Sequence, residues 1–156
     1  MTIAETLADY YGLTYRVIKR QLEGVTHEES LVQPPFRGNC LNWVLGHIVV
    51  SRATVLTTLG EIPPWSEAEA AHYQRNSDPI TSAEQALPLA HLQALLEDSQ
   101  TRILAGLARV TAEYLAGKLD EETRAEHIAF SNWHETYHVG QLELLRQLAG
   151  KDDKII

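Results

Sequence analysis

Apolar and aromatic positions recur every three or four residues along most of the chain. Ile3, Leu7, Tyr10, Tyr11, Thr14, Val17, Ile18 and Leu22 keep the 3.6-residue period, and Gly24 stands just beyond. The pattern predicts a first helix that stops at this glycine. Pro34, Pro35 and Gly38 interrupt it, after which Asn39 is a candidate N-cap. A second helix is then marked by Leu41, Val44, Leu45, Ile48, Val55, Leu56 and Leu59 and closed by Gly60. A third begins at Thr81 or Ser82, or restarts at Pro88, with Leu89, Leu92, Leu95, Leu96, Ile103, Leu104, Leu107 and Val110 on its stripe. A fourth runs from about Glu121 to Ala149, opened by Asp120, Glu121 and Glu122, which suit a helix N-terminus, and stopped by Gly150.

Residues 61–80, EIPPWSEAEAAHYQRNSDPI, are rich in breakers and polar side chains. They predict a long connection with room for one short helical turn, and connections of this length in compact domains are often functional. Residues 111–119 read as a turn. No segment alternates with period two over a useful length, so no strand is predicted, and there is no internal repeat. Four helices with a long link between the second and third predict an all-α four-helix bundle, with residues 1–156 as a single domain.

Composition narrows the function classes. With 13 basic and 21 acidic residues the formal charge is -8, and a chain of that charge has no basic stripe for a phosphate backbone; nucleic acid is excluded as a partner. The opening MTIAETLADYYGLTYR lacks a positive segment followed by an apolar run. No stretch approaches the roughly 20 apolar residues of a membrane span. The expectation is a cytoplasmic protein that does not engage membranes. Cys40 is the only cysteine, which rules out an intrachain disulfide and any C-x-x-C zinc site.

The chemistry concentrates in NWHETYHVGQ, residues 132–141, where HETYH matches the H-E-x-x-H pattern of zinc proteases. His134 and His138, four residues apart on a helix, share a face with roughly 6 Å between side-chain origins, close enough to reach one cation. Two imidazoles leave a metal half coordinated. A zinc protease takes its third ligand downstream, but no histidine follows His138, Glu143 is on the same helix, and Gly140 and Leu144 do not fit the longer metzincin form. The peptidase reading is set aside.

Upstream, His127 lies two turns from His134, roughly 10 Å, too far to share its metal. His27 falls in a loop, His91 among leucines, and His72 in the long connection, from which it could fold over as a fourth ligand. His47 sits mid-helix in NWVLGHIVVSR, on the edge of the apolar stripe and in phase with Ser51 and Thr54, which suggests a polar pocket. Trp43, Leu45, Gly46, His47 and Ile48 form W-x-L-G-H-I, and His134, His138, Gly140 and Gln141 form H-x-x-x-H-x-G-Q. With these paired motifs the chain resembles the DinB/YfiT-like family of four-helix bundle metalloproteins, related to thiol S-transferases and maleylpyruvate isomerase-like enzymes. The resemblance extends over essentially the whole chain. It implies an up-down-down-up bundle and a divalent metal, zinc or nickel, held in an open site by His47, His134 and His138.

Other residues are assigned around that site. Glu135 is a candidate catalytic base by analogy with zinc proteases, although it should point about 100 degrees from His134. Gln141 shares the face of His138 and should fix packing or the orientation of a ligand. Trp43, Trp133 and Tyr137 are expected in the core or pocket wall, and Cys40 in packing. Gly46 and Gly140 are expected to let helices two and four approach closely. Metal affinity should fall below about pH 6 as the imidazoles take up protons.

A metal with three imidazoles keeps a position for water or sulfur. The resemblance therefore implies a metal-dependent enzyme on a small-molecule substrate. It would be a thiol S-transferase, with a low-molecular-weight thiol as cosubstrate, or a small-molecule hydrolase. The other reading is a non-catalytic metal- or ligand-binding bundle. The fourth helix also carries surplus apolar residues, Phe130, Trp133, Tyr137, Leu144 and Leu148. They predict a homodimer, unless Ile62 and Trp65 of the long connection cover them.

Overall fold

In the computed structural model, which describes residues 1–155, the first helix, α1 (Ile3–Leu22), opens with a capping box. Thr2 accepts from the Glu5 backbone amide, and the Glu5 carboxylate accepts in return from the Thr2 amide. A short α2 (His27–Ser30) follows. The second predicted helix is divided into α3 (Leu41–Ser51) and α4 (Ala53–Thr58). Its N-cap is Cys40 rather than Asn39. Between the halves, the Arg52 amide donates to Val49 O at 3.1 Å, a tighter turn than the α-helix makes. Arg52 is 2% exposed, so the loosened turn coincides with a guanidinium drawn into the bundle.

The long connection contains the expected short helix, α5 (Glu67–Ala71), capped by Ser66 and Glu69, and then a 3₁₀ turn, Ala83–Gln85. The third long helix, α6 (Leu89–Arg109), starts after Pro88, so the later of the two expected starts holds. Residues expected only as a turn form α7 (Ala112–Ala116) and half of a minimal hairpin, β1 (Lys118–Leu119) against β2 (Glu122–Thr123). Two-residue strands are too short for a period-two signal, which is why no strand was predicted. Asp120 turns that hairpin at φ 54°. The last helix, α8 (Arg124–Leu148), is capped by Thr123 and Glu126. Gly150, at φ 85°, follows its end in the left-handed conformation that glycine adopts without strain.

In the bundle α1 packs against α6 and α8, as does α3. Side-chain bonds give the directions. Tyr11 donates to Ile128 O, Thr14 to Glu135, and Gln21 to Val139 O, so α1 and α8 run parallel. Asn42 donates to Leu87 O and Arg52 to Leu96 O, so α3 and α6 run parallel as well. That is the up-down-down-up order, with the long connection serving as the crossover.

Every long helix changes character once along its length. Leu7 and Tyr11, Val55 and Leu56, Ile103 and Leu107, and Ile128 form one apolar cluster. Ile18, Leu45, Leu96 and Leu142 belong to the other. Between them Thr14, Arg52, Ser99, Gln100, Asn132 and Glu135 are buried and polar, one layer contributed by all four limbs. No helix among the described residues is long and apolar enough to cross a membrane.

Candidate metal centre

His47, on α3, projects toward α8, where His134 and His138 occupy successive turns of one face. One nitrogen from each of the three lies within 4.8 Å of the others. The ring centroids are 5.3 Å apart for His47 and His134, 4.7 Å for His47 and His138, and 4.6 Å for His134 and His138.

Two of the rings are fixed by acceptors on their outer sides. His47 Nδ1 lies 2.7 Å from Tyr73 O, and His138 Nδ1 lies 2.6 Å from Gln141 Oε1. A carbonyl oxygen can only accept, so each Nδ1 carries the proton and each Nε2 presents its lone pair inward. The Nε2 atoms of His134 and His138 are 3.2 Å apart. Lone pairs that close repel unless a proton or a cation lies between them. This donor set, three neutral imidazoles with two held by outer acceptors, could hold a divalent cation.

The site's own environment keeps the rings neutral. Burial pushes His138 down to about 4, helped by the neighbouring imidazoles and opposed by its bond to Gln141. His47 and His134 are lowered as well, chiefly by burial, with Arg75 disfavouring a further positive charge at both. On one side Trp43 stacks on the His47 ring at 4.9 Å and 12° and donates to Ser77 Oγ, which excludes water from that face. On the other the rings open into a cavity of about 640 Å³.

Tyr73, in the long connection, is the residue the periodicity did not reveal. It is fully buried; its hydroxyl donates to Asn42 and accepts from the Leu87 amide, while its carbonyl holds His47. Its ring also explains Gly46. A Cβ at Gly46 would stand 2.0 Å from Tyr73 Cδ1, so the glycine makes room for this ring. At Gly140 a Cβ would meet nothing within 4 Å. The expected role of both glycines, close approach of helices two and four, is therefore corrected.

Glu135 is not brought to the cavity. Its Oε2 accepts from Arg52 Nε at 2.8 Å, and its Oε1 accepts from Arg52 Nη2 at 2.8 Å and Thr14 Oγ1 at 2.6 Å. Both charged side chains are almost fully buried. A carboxylate held by three donors in the polar layer has no free position from which to take a substrate proton, which corrects the expected role as a base. Ser51 and Thr54 do not line the pocket either, and Thr54 is exposed. The inward polar residue of that helix is Arg52, and its signal was a charge placed inside the apolar run VVSRATVL.

The remaining histidines stay apart. His72 is exposed and outside the cluster, His27 Nδ1 accepts from the Leu89 amide, and His91 and His127 pair with Glu69 and Glu122. Cys40 is buried in the apolar core. The connection does not cover the outer face of α8. Ile62 is 77% exposed and Trp65 packs into the core, while Phe130, Trp133 and Tyr137 remain about 60% exposed at the cavity's outer wall.

A four-helix bundle with an open three-histidine centre at one end of its polar layer defines the class. The DinB superfamily model matches residues 11–142, and the chain belongs to that superfamily. Among solved structures it is similar to a conserved protein from Enterococcus faecalis, with a TM-score of 0.74 at 16% identity over 96% of this chain and 98% of that one. At such identity the likeness concerns the fold. No curated protein matches the sequence.

Proposed function

We propose that the chain is a metal-dependent enzyme in which His47, His134 and His138 hold one divalent cation, zinc or nickel. A small-molecule substrate enters the cavity beside them. The carrying observation is the convergence of three imidazole nitrogens within 4.8 Å at an open cavity, with no fourth His, Cys, Asp or Glu among the described residues joining them. A cation bound there would supply Lewis acidity, drawing the pKa of a thiol or water toward 7.

The chain's own residues orient and exclude. Tyr73 O and Gln141 hold two rings in the ligating tautomer, and Trp43 keeps water from one face. No Asp or Glu lines the cavity among the described residues. A water on the cation, like a thiol on it, would become nucleophilic by losing its own proton, so neither reaction requires a carboxylate in the lining. The family likeness, and not the lining, favours thiol S-transfer, with a low-molecular-weight thiol as cosubstrate, over hydrolysis. A lining without a carboxylate also suits, as second reading, a non-catalytic metal- or ligand-binding bundle. We read the protein as a cytoplasmic, single-domain homodimer, the second copy covering the aromatic wall of α8.

Metal analysis of the purified chain should find one zinc or nickel per chain. Alanine at His47, His134 or His138 should remove it while circular dichroism keeps its helical signal. Full metal content in the His47→Ala protein would overturn the site. The loaded protein is then assayed with glutathione, bacillithiol and mycothiol against electrophiles, and with esters and amides. Transfer without hydrolysis supports the first reading, and no turnover selects the second. Sedimentation equilibrium of the same samples at high micromolar concentration tests the dimer, which a mass staying at 17.5 kDa would remove.

A further inference from the structure

We infer that the cavity is an anion-selective subsite, in which Arg37 and Arg75 bind the carboxylate or phosphate of an organic anion whose other end reaches the three histidines. The inference rests on the proposed metal-dependent function for what happens at that other end.

The charge pattern carries it. The chain has 21 acidic and 13 basic residues, yet the described lining of the cavity contains two arginines and no carboxylate. Such a bias runs against the composition of the whole molecule. Of the nine arginines, Arg52, Arg102, Arg109 and Arg146 pair with a carboxylate, and of the other five only Arg37 and Arg75 line the cavity. Arg37 and Arg75 pair with none among the described residues, and both are exposed at the cavity. They come from separate segments, one just before α3 and one just after α5, so the fold and not the local sequence unites them.

A guanidinium presents a planar fork of donors that matches the two oxygens of a carboxylate or the edge of a phosphate. With a formal charge of -8, the protein as a whole repels anions, so a positive pocket both attracts them locally and selects where they bind. The same lining includes Trp133 and Tyr137, whose faces suit an apolar or aromatic body. A volume of about 640 Å³ admits a molecule that touches the arginines and the histidines together. The anion could belong to the thiol or to the molecule it attacks.

Quenching of tryptophan fluorescence in the full-length chain tests this, because Trp43 and Trp133 line the cavity. The probes for metal-free protein are phenylsuccinate, its neutral diamide and phenyl phosphate. Either anion should bind at least about tenfold more tightly than the diamide, and Arg37→Gln and Arg75→Gln should each weaken the anion about tenfold while leaving the diamide unmoved. Both arginines are exposed, so folding is not at stake. Equal affinity for diacid and diamide would overturn the inference, as would a preference that survives both substitutions.

Zinc uptake is measured on the same samples. Zinc bound stoichiometrically with no anion preference leaves the metal reading standing and sinks this one. An arginine-dependent preference in a chain that takes up no zinc does the reverse. In zinc-loaded protein, mercaptosuccinate binding more tightly than phenylsuccinate assigns the anion to the thiol, and the opposite order assigns it to the electrophile.

Discussion

On one face of α8, Glu135 meets Arg52 and Thr14, and every oxygen it presents is met by a donor. One residue earlier the helix has turned about 100 degrees, and His134, with His138 a turn further, meets His47 so that one nitrogen of each ring lies within 4.8 Å of the others. Both clusters are polar, both join α3 or its continuation to α8, and both are largely buried. They differ in closure. In the first, opposite charges satisfy each other and nothing more is required. In the second, three imidazoles converge and their inward nitrogens are not all met by protein donors, which leaves lone pairs for a cation. A closed cluster specifies the bundle, whereas an open one is available for chemistry.

If that division holds, breaking the closed cluster should damage the fold and spare the metal site. Glu135→Ala leaves the Arg52 guanidinium buried without its partner and should cost about 3–5 kcal/mol in urea unfolding. The protein that remains folded should keep its metal. Replacing the pair together, Arg52→Met with Glu135→Leu, should recover most of the loss, because the unpaired charge goes with it. Unchanged stability with lost turnover in Glu135→Ala would return this residue to the reaction and end the comparison.

The open cluster should show itself through acid. In the unfolded chain an imidazole takes a proton near pH 6.5, but in the folded chain burial delays His138 to about 4. Protons are therefore bound preferentially by the unfolded state between those values. The contribution is fully present above about pH 6.5 and is lost as the pH falls toward 4, up to about 3 kcal/mol for His138 alone. Urea unfolding of metal-free protein at pH 7 and pH 5 should differ accordingly, and His138→Ala should flatten the difference. An equally steep acid loss in that variant would trace it to other groups. Metal release should also begin below the roughly pH 6 that an ordinary imidazole implies, since the folded rings compete less well for protons.

The two clusters were unequally legible in the sequence. His134 and His138 show their shared face by spacing alone, and His47 shows its position by interrupting an apolar stripe, because helical periodicity maps number directly onto direction. That same mapping turned Glu135 away from the cavity but could not supply Arg52 as its partner, which depends on how α3 and α8 dock. The polar layer leaves one residue or two on each helix, too few to form a pattern until the four are superposed. Tyr73, Arg37 and Arg75 lie outside the long helices, where no period links number to direction. For that reason the three histidines were legible as a cluster, whereas the groups that orient and surround them were not. The bundle was legible because its stripes are long, and the β1–β2 hairpin was not because it is short.

Gln141 offers the smallest and most selective test, because it stands to His138 as Thr14 stands to Glu135: a neutral side chain that finishes a polar group's hydrogen bonding. Its Oε1 takes the Nδ1 proton of His138 at 2.6 Å and so leaves Nε2 free to ligate. Gln141→Leu keeps the bulk and removes the acceptor. The ring can then rotate or change tautomer, and metal affinity measured by chelator competition should fall about tenfold, the lower end for loss of a group that orients a ligand. Stability of the metal-free chain should move by less than about 1 kcal/mol, since the residue is only half-buried. Gln141→Glu supplies a stronger acceptor and should restore the affinity or exceed it. A site indifferent to both substitutions would show that packing alone orients His138, and the open cluster would then be built from its three rings without help from the helix that carries two of them.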